Sequence, residues 1–316
     1  MAEKTATREA YGKALVEFGE KYEDLVVLDA DVSAATKTAS FGKKFPERFI
    51  NCGIAEGNMI SVAAGIAATG KIPFASSFAM FAAGRAFEPI RNAIGYPHLN
   101  VKIGATHAGI TVGEDGATHQ CCEDLGIMRT IPGMTIINPA DAVEARAAIE
   151  AAILYKGPVY MRFGRLAIPV LFDSATYKFE WGKGVQMSEG KDAAIIATGL
   201  MVTEAIKARE LLAADGIDAA VVNMHTIKPI DKDIIIKAAK TGAIVTAEEH
   251  NIIGGLGSAV AEVLVENSPC KMGRVGIKDE FGRSGKAEEL LKIFGLTAED
   301  IAKKVKEVIN KGKNIL

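Results

Sequence analysis

A glycine-rich stretch in the first half of the chain carries two histidines and an acidic pair. Residues 104–107 read Gly-Ala-Thr-His, and residues 113–120 read Gly-Glu-Asp-Gly-Ala-Thr-His-Gln. Histidine changes its charge near neutral pH, and carboxylates accept hydrogen bonds from hydroxyl groups. His107, Asp115 and His119 therefore suit a site that binds sugar hydroxyls and moves protons. A metal site in the second segment is the alternative, but its spacing matches no established ligand set.

More polar residues follow the apolar runs that we predict to be strands. In a parallel sheet, ligands bind beyond the carboxyl ends of the strands. If the strands share one sheet, these polar side chains converge on one edge, where arginine and histidine favour an anionic ligand. Strand ends are polar in many α/β proteins, but the agreement of several strands favours a site. The residues are Asp29, Asp31, Glu56, Thr106, His107, Arg162 and Arg165.

The fold class follows from short apolar runs that alternate with helical patterns. This alternation predicts an α/β protein with a doubly wound, mostly parallel sheet, followed by a smaller α/β domain. The strands are predicted at residues 25–28, 48–52, 72–75, 101–105, 135–137, 159–161, 193–197, 219–222, 243–247 and 274–277. The helices are predicted at residues 7–20, 60–68, 142–154, 202–214, 232–240, 257–265, 287–293 and 298–310.

The alternation stops between residues 169 and 191, where Pro169, Tyr177, Trp181 and several glycines lie without sustained periodicity. We interpret this segment as an interdomain linker. The predicted domains are therefore residues 1–168 and residues 192–316.

Composition and charge exclude several classes of function. The formal net charge of −2 gives no electrostatic attraction for nucleic acid or an anionic membrane. The N-terminus lacks the apolar segment of a signal peptide, and no apolar run approaches the roughly 20 residues of a membrane helix. The spacing of the four cysteines (52, 121, 122 and 270) fits neither a zinc site nor a disulfide framework. We expect a cytoplasmic protein, with Cys121 and Cys122 buried at a helix start rather than acting as a redox pair.

Residues 53–59, Gly-Ile-Ala-Glu-Gly-Asn-Met, resemble the glutamate motif of the thiamine-diphosphate-dependent transketolase superfamily. The resemblance implies a pyrimidine-binding domain followed by a transketolase C-terminal domain. It also implies that the Glu56 carboxyl hydrogen-bonds the pyrimidine N1′ of thiamine diphosphate and activates the cofactor. The alternative is a glutamate stabilised by the dipole at a helix N-terminus.

The histidine-containing segments at residues 104–107 and 113–120 are similar to the signature loop of transketolases. By this resemblance, His107 contacts the substrate phosphate and Asp115 recognises a substrate hydroxyl. His119 lies beside the cofactor amino group and the reacting carbons, where it is also a cofactor contact. A plain turn with a loop histidine is the alternative interpretation.

Aromatic residues of the segment 77–81, Ser-Phe-Ala-Met-Phe, resemble those that line the cofactor pyrimidine pocket in the family. Phe78 is the first stacking candidate and Phe81 the second. Phe87 is an alternative to them, because the register after Gly84 is open. Each phenylalanine could instead be an ordinary core residue.

Two arginines match those that hold the sugar phosphate in the family. They are Arg8, in Ala-Thr-Arg-Glu, and Arg162, in Met-Arg-Phe-Gly-Arg. Guanidinium groups suit this task because they bind phosphate through two parallel hydrogen bonds.

Residues 30–33, Ala-Asp-Val-Ser, resemble the family's Ala-Asp-Leu-Thr, and the resemblance implies that Asp31 contacts the cofactor. The chain departs from the family two residues further on. The phosphate-binding serine of the family falls on Ala35, and Thr36 or Ser33 are the residues that could replace it.

The second half resembles the C-terminal domain of the superfamily in residues 246–250, 254–258, 281–285 and 294–297. The segment Gly-Gly-Leu-Gly-Ser at residues 254–258 could bind phosphate between a strand and a helix. It lacks the spacing of a Walker A loop or a Rossmann fingerprint, so we favour a structural role.

A partner subunit is implied by what the chain lacks. The family's diphosphate-binding and Mg²⁺-binding domain, with its Gly-Asp-Gly motif, has no counterpart in the sequence. The resemblance therefore implies a split enzyme in which an N-terminal transketolase subunit holds Mg²⁺. This chain would form a homodimer within a heterotetramer.

The implied reaction is transfer of a two-carbon ketol unit from a ketose phosphate to an aldose phosphate. Deoxyxylulose-phosphate synthase and the β subunit of 2-oxoacid dehydrogenase share the Gly-Ile-Ala-Glu element. The former lacks the pair seen here as Thr106-His107, and the latter lacks the loop at residues 113–119. An alternative of another class is a non-catalytic partner that binds thiamine or regulates another protein.

Overall fold

The computed structural model describes residues 3–310 as two α/β units, each built on a mainly parallel sheet. The strands are β1 Lys4–Thr5, β2 Leu25–Asp29, β3 Phe49–Asn51, β4 Ile72–Phe78, β5 Lys102–Thr106, β6 Thr135–Ile137, β7 Val159–Arg162, β8 Ile168–Pro169, β9 Val185–Ser188, β10 Ala193–Ala197, β11 Ala219–Asn223, β12 Thr226–Lys228, β13 Ala243–Asn251 and β14 Lys271–Ile277. The predicted α/β class is confirmed.

The α-helices connect these strands in the alternation that the sequence predicts. They are α1 Thr7–Lys21, α2 Ser33–Thr36, α3 Ala39–Lys44, α4 Glu56–Ala68, α5 Phe87–Pro89, α6 Asp124–Arg129, α7 Ala142–Leu154, α8 Met201–Ala214, α9 Lys232–Ala239, α10 Leu256–Asn267, α11 Ala287–Ile293 and α12 Ala298–Asn310. Two π-helical segments, Met80–Arg85 and Ile90–Gly95, and two 3₁₀ segments, Pro46–Arg48 and Ile110–Asp115, complete the elements.

The first sheet has seven strands in the order β12-β6-β7-β5-β4-β2-β3, and all but β12 are parallel. Alternate residues of each strand face opposite sides. Val27 and Phe74 pack with the apolar faces of α1 and α7, whereas Leu28 and Ala75 pack in a second core with α4. Helices cover both faces, so the sheet is doubly wound and the carboxyl ends of its strands meet at one edge.

The second sheet has five strands in the order β14-β13-β10-β11-β9. β9 pairs antiparallel with β11 and lies inside the segment that the sequence predicts to be a linker. β12 also departs from the sequence prediction, because it follows the second domain's β11 yet pairs with β6 of the first sheet. Both strands are short and lie at sheet edges, which explains their weak sequence pattern.

Close packing fixes α1 against the middle of the first sheet and brings its N-terminus to the sheet edge. The Tyr11 hydroxyl lies 2.6 Å from the Ser76 Oγ of β4. A Cβ atom at Gly104 of β5 would lie 2.1 Å from that hydroxyl, so only glycine leaves room for the tyrosine. The predicted apolar face of α1, which includes Ala14 and Phe18, is buried.

Two further features bear on the predictions. Cys121 and Cys122 are buried immediately before α6, as expected, and both are free thiols. Within residues 3–310, every helix is too short or too polar to cross a membrane.

Candidate active site

Glu56 lies at the first position of α4, on the carboxyl edge of the first sheet. Its side chain is buried, at 5% exposure, and its Oε1 atom lies 3.2 Å from the Arg85 Nη1 atom. Arg85 belongs to the π-helical segment after β4 and was not among the predicted site residues. The buried carboxyl thus has an exposed arginine as its ionic partner.

Phe78 and Phe81 form an aromatic stack beside this carboxyl. Their ring centroids lie 5.7 Å apart at an interplanar angle of 12°. The Arg85 guanidinium lies over the Phe81 ring at 4.3 Å, which joins the stack to Glu56. Phe87, the alternative stacking residue in the sequence prediction, packs against the core beside α4 instead.

His107 stacks on the opposite end of the aromatic group, with its ring centroid 3.8 Å from that of Phe78. Arg8 Nη1 donates to His107 Nε2 at 2.7 Å, so Nε2 is an acceptor and the ring proton is on Nδ1. Nδ1 then donates to the Thr106 hydroxyl at 2.9 Å. Burial, helped by the charges of Arg8, Arg165 and Lys37, lowers the pKa of His107 to about 3, so the ring is neutral.

His119 faces the same aromatic pair from the loop between β5 and α6. Its ring makes an edge contact with Phe81 at 5.3 Å, and its Nδ1 atom lies 2.9 Å from the Thr118 hydroxyl. Asp115 is exposed in the same loop, four residues earlier. The structure therefore brings together His107, His119 and the two phenylalanines that the sequence predicts.

The loop that carries Asp115 and His119 is held by the second domain. Gln120 Nε2 donates to the carbonyl oxygens of Ile110 at 3.0 Å and Arg283 at 2.9 Å. Gly116 adopts φ 76°, and a Cβ atom there would lie 2.6 Å from the Ser284 Oγ atom. The glycines of the motif therefore permit the close approach of the two domains at the site.

Arg8 completes the group from the first turn of α1. Its Nη1 atom also donates to the Ala35 carbonyl oxygen at 3.1 Å. Its Nε atom is buried and has no hydrogen-bond partner within residues 3–310. A buried, unpaired guanidinium N–H is costly unless a ligand accepts its hydrogen bond, so this atom is a ready donor.

Comparison with known proteins identifies the family of this chain. The model of the pyrimidine binding domain of transketolase matches residues 3–170, and the model of the transketolase C-terminal domain matches residues 182–301. The chain belongs to the transketolase family.

Individual relatives agree with this assignment. A putative transketolase C-terminal section from Methanocaldococcus jannaschii is 56% identical over 306 residues, which cover 96% of each chain. A 6-deoxy-6-sulfo-D-fructose transketolase subunit from Clostridium sp. is 46% identical and covers 95% of this chain and 94% of its own. A solved structure described as a split gene transketolase, inactive beta4 tetramer, matches with TM-score 0.90 and 53% identity over 96% of this chain and 98% of its own.

The match to mammalian transketolases covers a smaller share of the relative's own length. The matched region is 99% of this chain but 50% of the rat transketolase. The chain therefore spans about half the length of those relatives.

Arg162 does not take the place that its resemblance to the transketolase phosphate arginine implies. It is 3% exposed, and its Nε atom donates to Asp124 Oδ2 at 2.8 Å. Its Nη2 atom donates to the Glu249 carbonyl oxygen at 2.9 Å. Burial acts to lower the pKa of Arg162, but the charges of Asp124 and Glu249 outweigh it and raise the pKa. The guanidinium is thus a buried, charged group held by an internal ion pair with Asp124.

Arg165 is the arginine of the same segment that reaches the site. It is partly exposed, and its charge acts on both Arg8 and His107. Its Nη1 atom donates to the Val112 carbonyl oxygen, which lies in the histidine loop. Tyr160 and Arg162, two residues apart in β7, both donate to Asp124, whereas Arg165 follows the strand.

The phosphate-binding serine of the family falls on Ala35, and Thr36 is not available to replace it. Its hydroxyl is buried and donates to Asp29 Oδ2 at 2.7 Å. Ser33 is partly exposed. Asp31 is exposed beyond β2, adopts φ 65°, and accepts a hydrogen bond from Asn51 Nδ2 at 2.9 Å.

The glycine-rich turn of the second domain binds a carboxylate of its own chain. Leu256 N and Gly257 N, at the start of α10, donate to the two oxygens of Glu248 at 2.6 and 2.8 Å. A Cβ atom at Gly255 would lie 2.0 Å from Glu248 Oε2. Glu248 takes the place of an anion at this helix start, which supports the structural role predicted for the turn.

The residues at the first sheet edge fit one half of thiamine diphosphate. A carboxyl whose partner is a single exposed arginine can bind a pyrimidine nitrogen, and the stacked phenylalanines offer an apolar wall to its ring. Within residues 3–310 there is no group of three or more His, Cys, Asp or Glu side chains that could hold a metal ion.

Proposed function

We propose that this chain is the C-terminal subunit of a thiamine-diphosphate-dependent transketolase that transfers a two-carbon ketol unit from a ketose phosphate to an aldose phosphate. The observation that carries the proposal is the convergence of Glu56, the Phe78–Phe81 stack and two histidines at one open sheet edge. This combination matches the chemical demands of a cofactor pyrimidine beside a sugar phosphate.

In this proposal Glu56 binds the pyrimidine N1′, and Phe78 and Phe81 wall the ring. Asp31 is a further cofactor contact, at the end of the neighbouring strand. Thiamine diphosphate supplies carbanion stabilisation when it is bound. The low exposure of Glu56 strengthens its hydrogen bond to the cofactor, because little water competes for the carboxyl.

The sugar is held from the other side of the site. Asp115 accepts a hydrogen bond from a substrate hydroxyl, and His119 exchanges a proton near the reacting carbons. Arg8 and Arg165 bind the phosphate. His107 is neutral, so it adds no charge of its own and instead fixes the orientation of Arg8 through the bond at 2.7 Å.

The enzyme is proposed to need a second subunit that binds the cofactor diphosphate and Mg²⁺. The support is that this chain matches 50% of a mammalian transketolase and is similar to a split gene transketolase whose β4 tetramer is described as inactive. We propose a heterotetramer in which two copies of this chain pair with each other and with two N-terminal subunits.

A reconstitution assay tests the proposal. This chain is mixed with the N-terminal subunit from the same source, thiamine diphosphate, Mg²⁺, xylulose 5-phosphate and ribose 5-phosphate. Sedoheptulose 7-phosphate is then measured, with each chain alone as the control. We expect turnover only when both chains are present.

Other outcomes separate the alternatives. A complex that binds cofactor but is active only with other sugars would change the substrate assignment, for which the sulfo-sugar relative gives a precedent. Activity with pyruvate in place of the ketose phosphate would favour the deoxyxylulose-phosphate synthase or dehydrogenase alternative. A complex that binds cofactor and acts on none of these donors would favour a non-catalytic partner.

A further inference from the structure

We propose that Lys37 is a specificity-determining residue of this active site and supplies a third positive charge to the substrate phosphate. The inference rests on the proposed function, because it assumes a phosphorylated sugar as the ligand. Lys37 occupies the turn between α2 and α3, two residues after the alanine that replaces the family's phosphate-binding serine. A charge beside this position compensates for the lost hydroxyl.

The turn that carries Lys37 is built rigidly. The buried Asp29 carboxylate accepts hydrogen bonds from Val32 N at 2.7 Å, from the Thr36 hydroxyl at 2.7 Å and from the Thr38 hydroxyl at 2.8 Å. These donors lie on both sides of Lys37 in the sequence. The position of the lysine is therefore set by an internal network rather than by solvent contacts.

Lys37 itself adopts an unfavourable backbone conformation, with φ 72° and ψ 10°. Glycine and asparagine adopt this left-handed region far more readily than lysine does. The turn also packs tightly on α1, since a Cβ atom at Gly12 would lie 2.4 Å from the Lys37 Cβ atom. A lysine that keeps a left-handed backbone conformation in a tightly packed turn is a candidate for a functional role.

The lysine belongs to the same cluster of charges as the phosphate arginines. The carbonyl oxygen of Ala35, in the same turn, accepts a hydrogen bond from Arg8 Nη1. The charges of Arg8, Arg165 and Lys37 all act on the His107 ring. Arg8 Nε is buried without a partner within the described residues, so the cluster has a donor ready for an anion.

The ion pair of Lys37 with Glu9 does not prevent the lysine from binding a phosphate. Its Nζ atom lies 3.0 Å from Glu9 Oε1, but both side chains are partly exposed, at 32% and 40%. Exposed ion pairs of this kind are weak, and an ammonium has two further N–H donors for a phosphate. Three cations favour a phosphate dianion over a sulfonate monoanion, so Lys37 should raise selectivity for phosphorylated sugars over sulfonated ones.

The test uses the complex with the N-terminal subunit and the variants Lys37→Met, Lys37→Arg and Lys43→Met. Lys43 is an exposed lysine on α3 and serves as the matched control. Ribitol 5-phosphate, which cannot react, is titrated by calorimetry, and KM and kcat are measured with xylulose 5-phosphate. We expect Lys37→Met to weaken ribitol 5-phosphate binding and raise KM on the order of tenfold, as for loss of one charge-assisted hydrogen bond. Lys37→Arg should retain most of the affinity.

Loss of affinity in Lys37→Met that is no larger than in Lys43→Met would overturn the proposal. Lys37→Asn, which suits the left-handed turn without a charge, replaces Lys37→Met if the latter fails to fold. The kcat/KM ratio of xylulose 5-phosphate to 6-deoxy-6-sulfo-D-fructose should fall in the uncharged variants, and an unchanged ratio would also count against the role. Absence of all turnover in the wild-type complex would contradict the proposed function, while the calorimetry would still decide the role of Lys37.

Discussion

Both sheets of this chain place polar residues at or just beyond the carboxyl ends of their parallel strands. In the second sheet these residues include Thr198, Asn223, Glu249 and His250, and all four are buried. In the first sheet the corresponding edge includes partly exposed groups such as His119. The two edges share an architecture and differ in what covers them.

The edge of the second sheet is covered by the first domain. Asn223 Nδ2 donates to Glu144 of α7 at 2.9 Å, and Glu249 accepts from Thr111 N at 2.7 Å. The Gly126 N–H donates to His250 Nε2 at 3.3 Å. Polar groups at this edge are therefore used in holding the two domains together.

The edge of the first sheet includes a buried donor that residues 3–310 leave without a partner. Arg8 Nε has no partner within the described residues, and Glu56 is paired with one exposed arginine. Buried polar groups are normally hydrogen-bonded, so this unpaired donor and a carboxyl paired with one exposed arginine are consistent with a ligand site. The comparison teaches that similar strand-end groups hold two domains together where the other domain covers them, and stay available to a ligand where it does not.

The largest effect is expected at the open edge. Glu56→Ala should lower kcat of the reconstituted complex by at least the ~10²–10⁴-fold typical of an acid–base group, because it removes the carboxyl proposed to bind the pyrimidine nitrogen. The thermal unfolding temperature should change little. Glu88→Ala removes an exposed acid of the neighbouring α5 and is the control. Near wild-type turnover in Glu56→Ala would remove the catalytic role from this edge.

The next effect contrasts Arg162, the last residue of β7, with Arg165, which follows that strand. Arg162→Met leaves Asp124 as a buried charge without its partner, so the free energy of unfolding should fall by about 3–5 kcal/mol. Urea unfolding followed by circular dichroism measures this change. Arg165→Met is the matched control and should raise KM for the sugar phosphate with little loss of stability. An exchange of these two phenotypes would restore Arg162 as the phosphate ligand.

A smaller effect is expected at the covered edge. Glu248→Gln replaces one carboxylate oxygen by an amide group, whose N–H faces one of the two backbone donors at the start of α10. The free energy of unfolding should therefore fall by about 1.5–3 kcal/mol. Hydrogen exchange at Leu256 and Gly257 should accelerate. Glu266→Gln, an exposed position at the other end of α10, is the control. Loss of activity without loss of stability in Glu248→Gln would mean that this turn also binds a ligand.

Much of the fold could be predicted from periodicity, because long elements bury one regular face. The bounds of α7, α11 and α12, and of β6 and β10, agree with the sequence prediction. The strands β9 and β12 could not be predicted, since each has three or four residues and pairs with a strand distant in sequence. The start of α4 was placed four residues late, because the sequence prediction began at the apolar run from Ile60 and Glu56 lies before it.

The site could be predicted where a motif fixes the spacing of the groups. Glu56, His107 and His119 lie at the predicted edge, and the aromatic stack joins them. The prediction that Arg162 binds the phosphate was wrong. The motif contains two arginines, and only the structure shows that Arg162 is the one paired with Asp124. Lys37 gave no sequence signal, since its closeness to the site depends on the left-handed turn.

The last prediction is an opposite pH dependence of stability at the two edges. Burial lowers the pKa of His107 to about 3, well below the ordinary 6.5, so between these values the unfolded chain binds a proton that the folded chain does not. Its contribution to stability is present above about pH 6.5 and is lost as the pH falls toward 3. Burial raises the pKa of Glu249 to about 7 from the ordinary 4.5, so its contribution is complete below about pH 4.5 and is lost as the pH rises through 7.

Urea unfolding at intervals between pH 4 and 8 tests this contrast. His107→Gln should flatten the acid side of the stability curve, and Glu249→Gln should flatten the side near neutral pH. Each should remove a slope of up to about 1.4 kcal/mol per pH unit, the value for one proton. Burial also lowers the pKa of His225 to about 4, so part of the acid slope will remain in His107→Gln. If His107→Gln kept the full wild-type slope between pH 4 and 6, the burial of His107 at the first sheet edge would be contradicted. The hydrogen bond from Arg8 to a neutral His107 ring would then be contradicted as well.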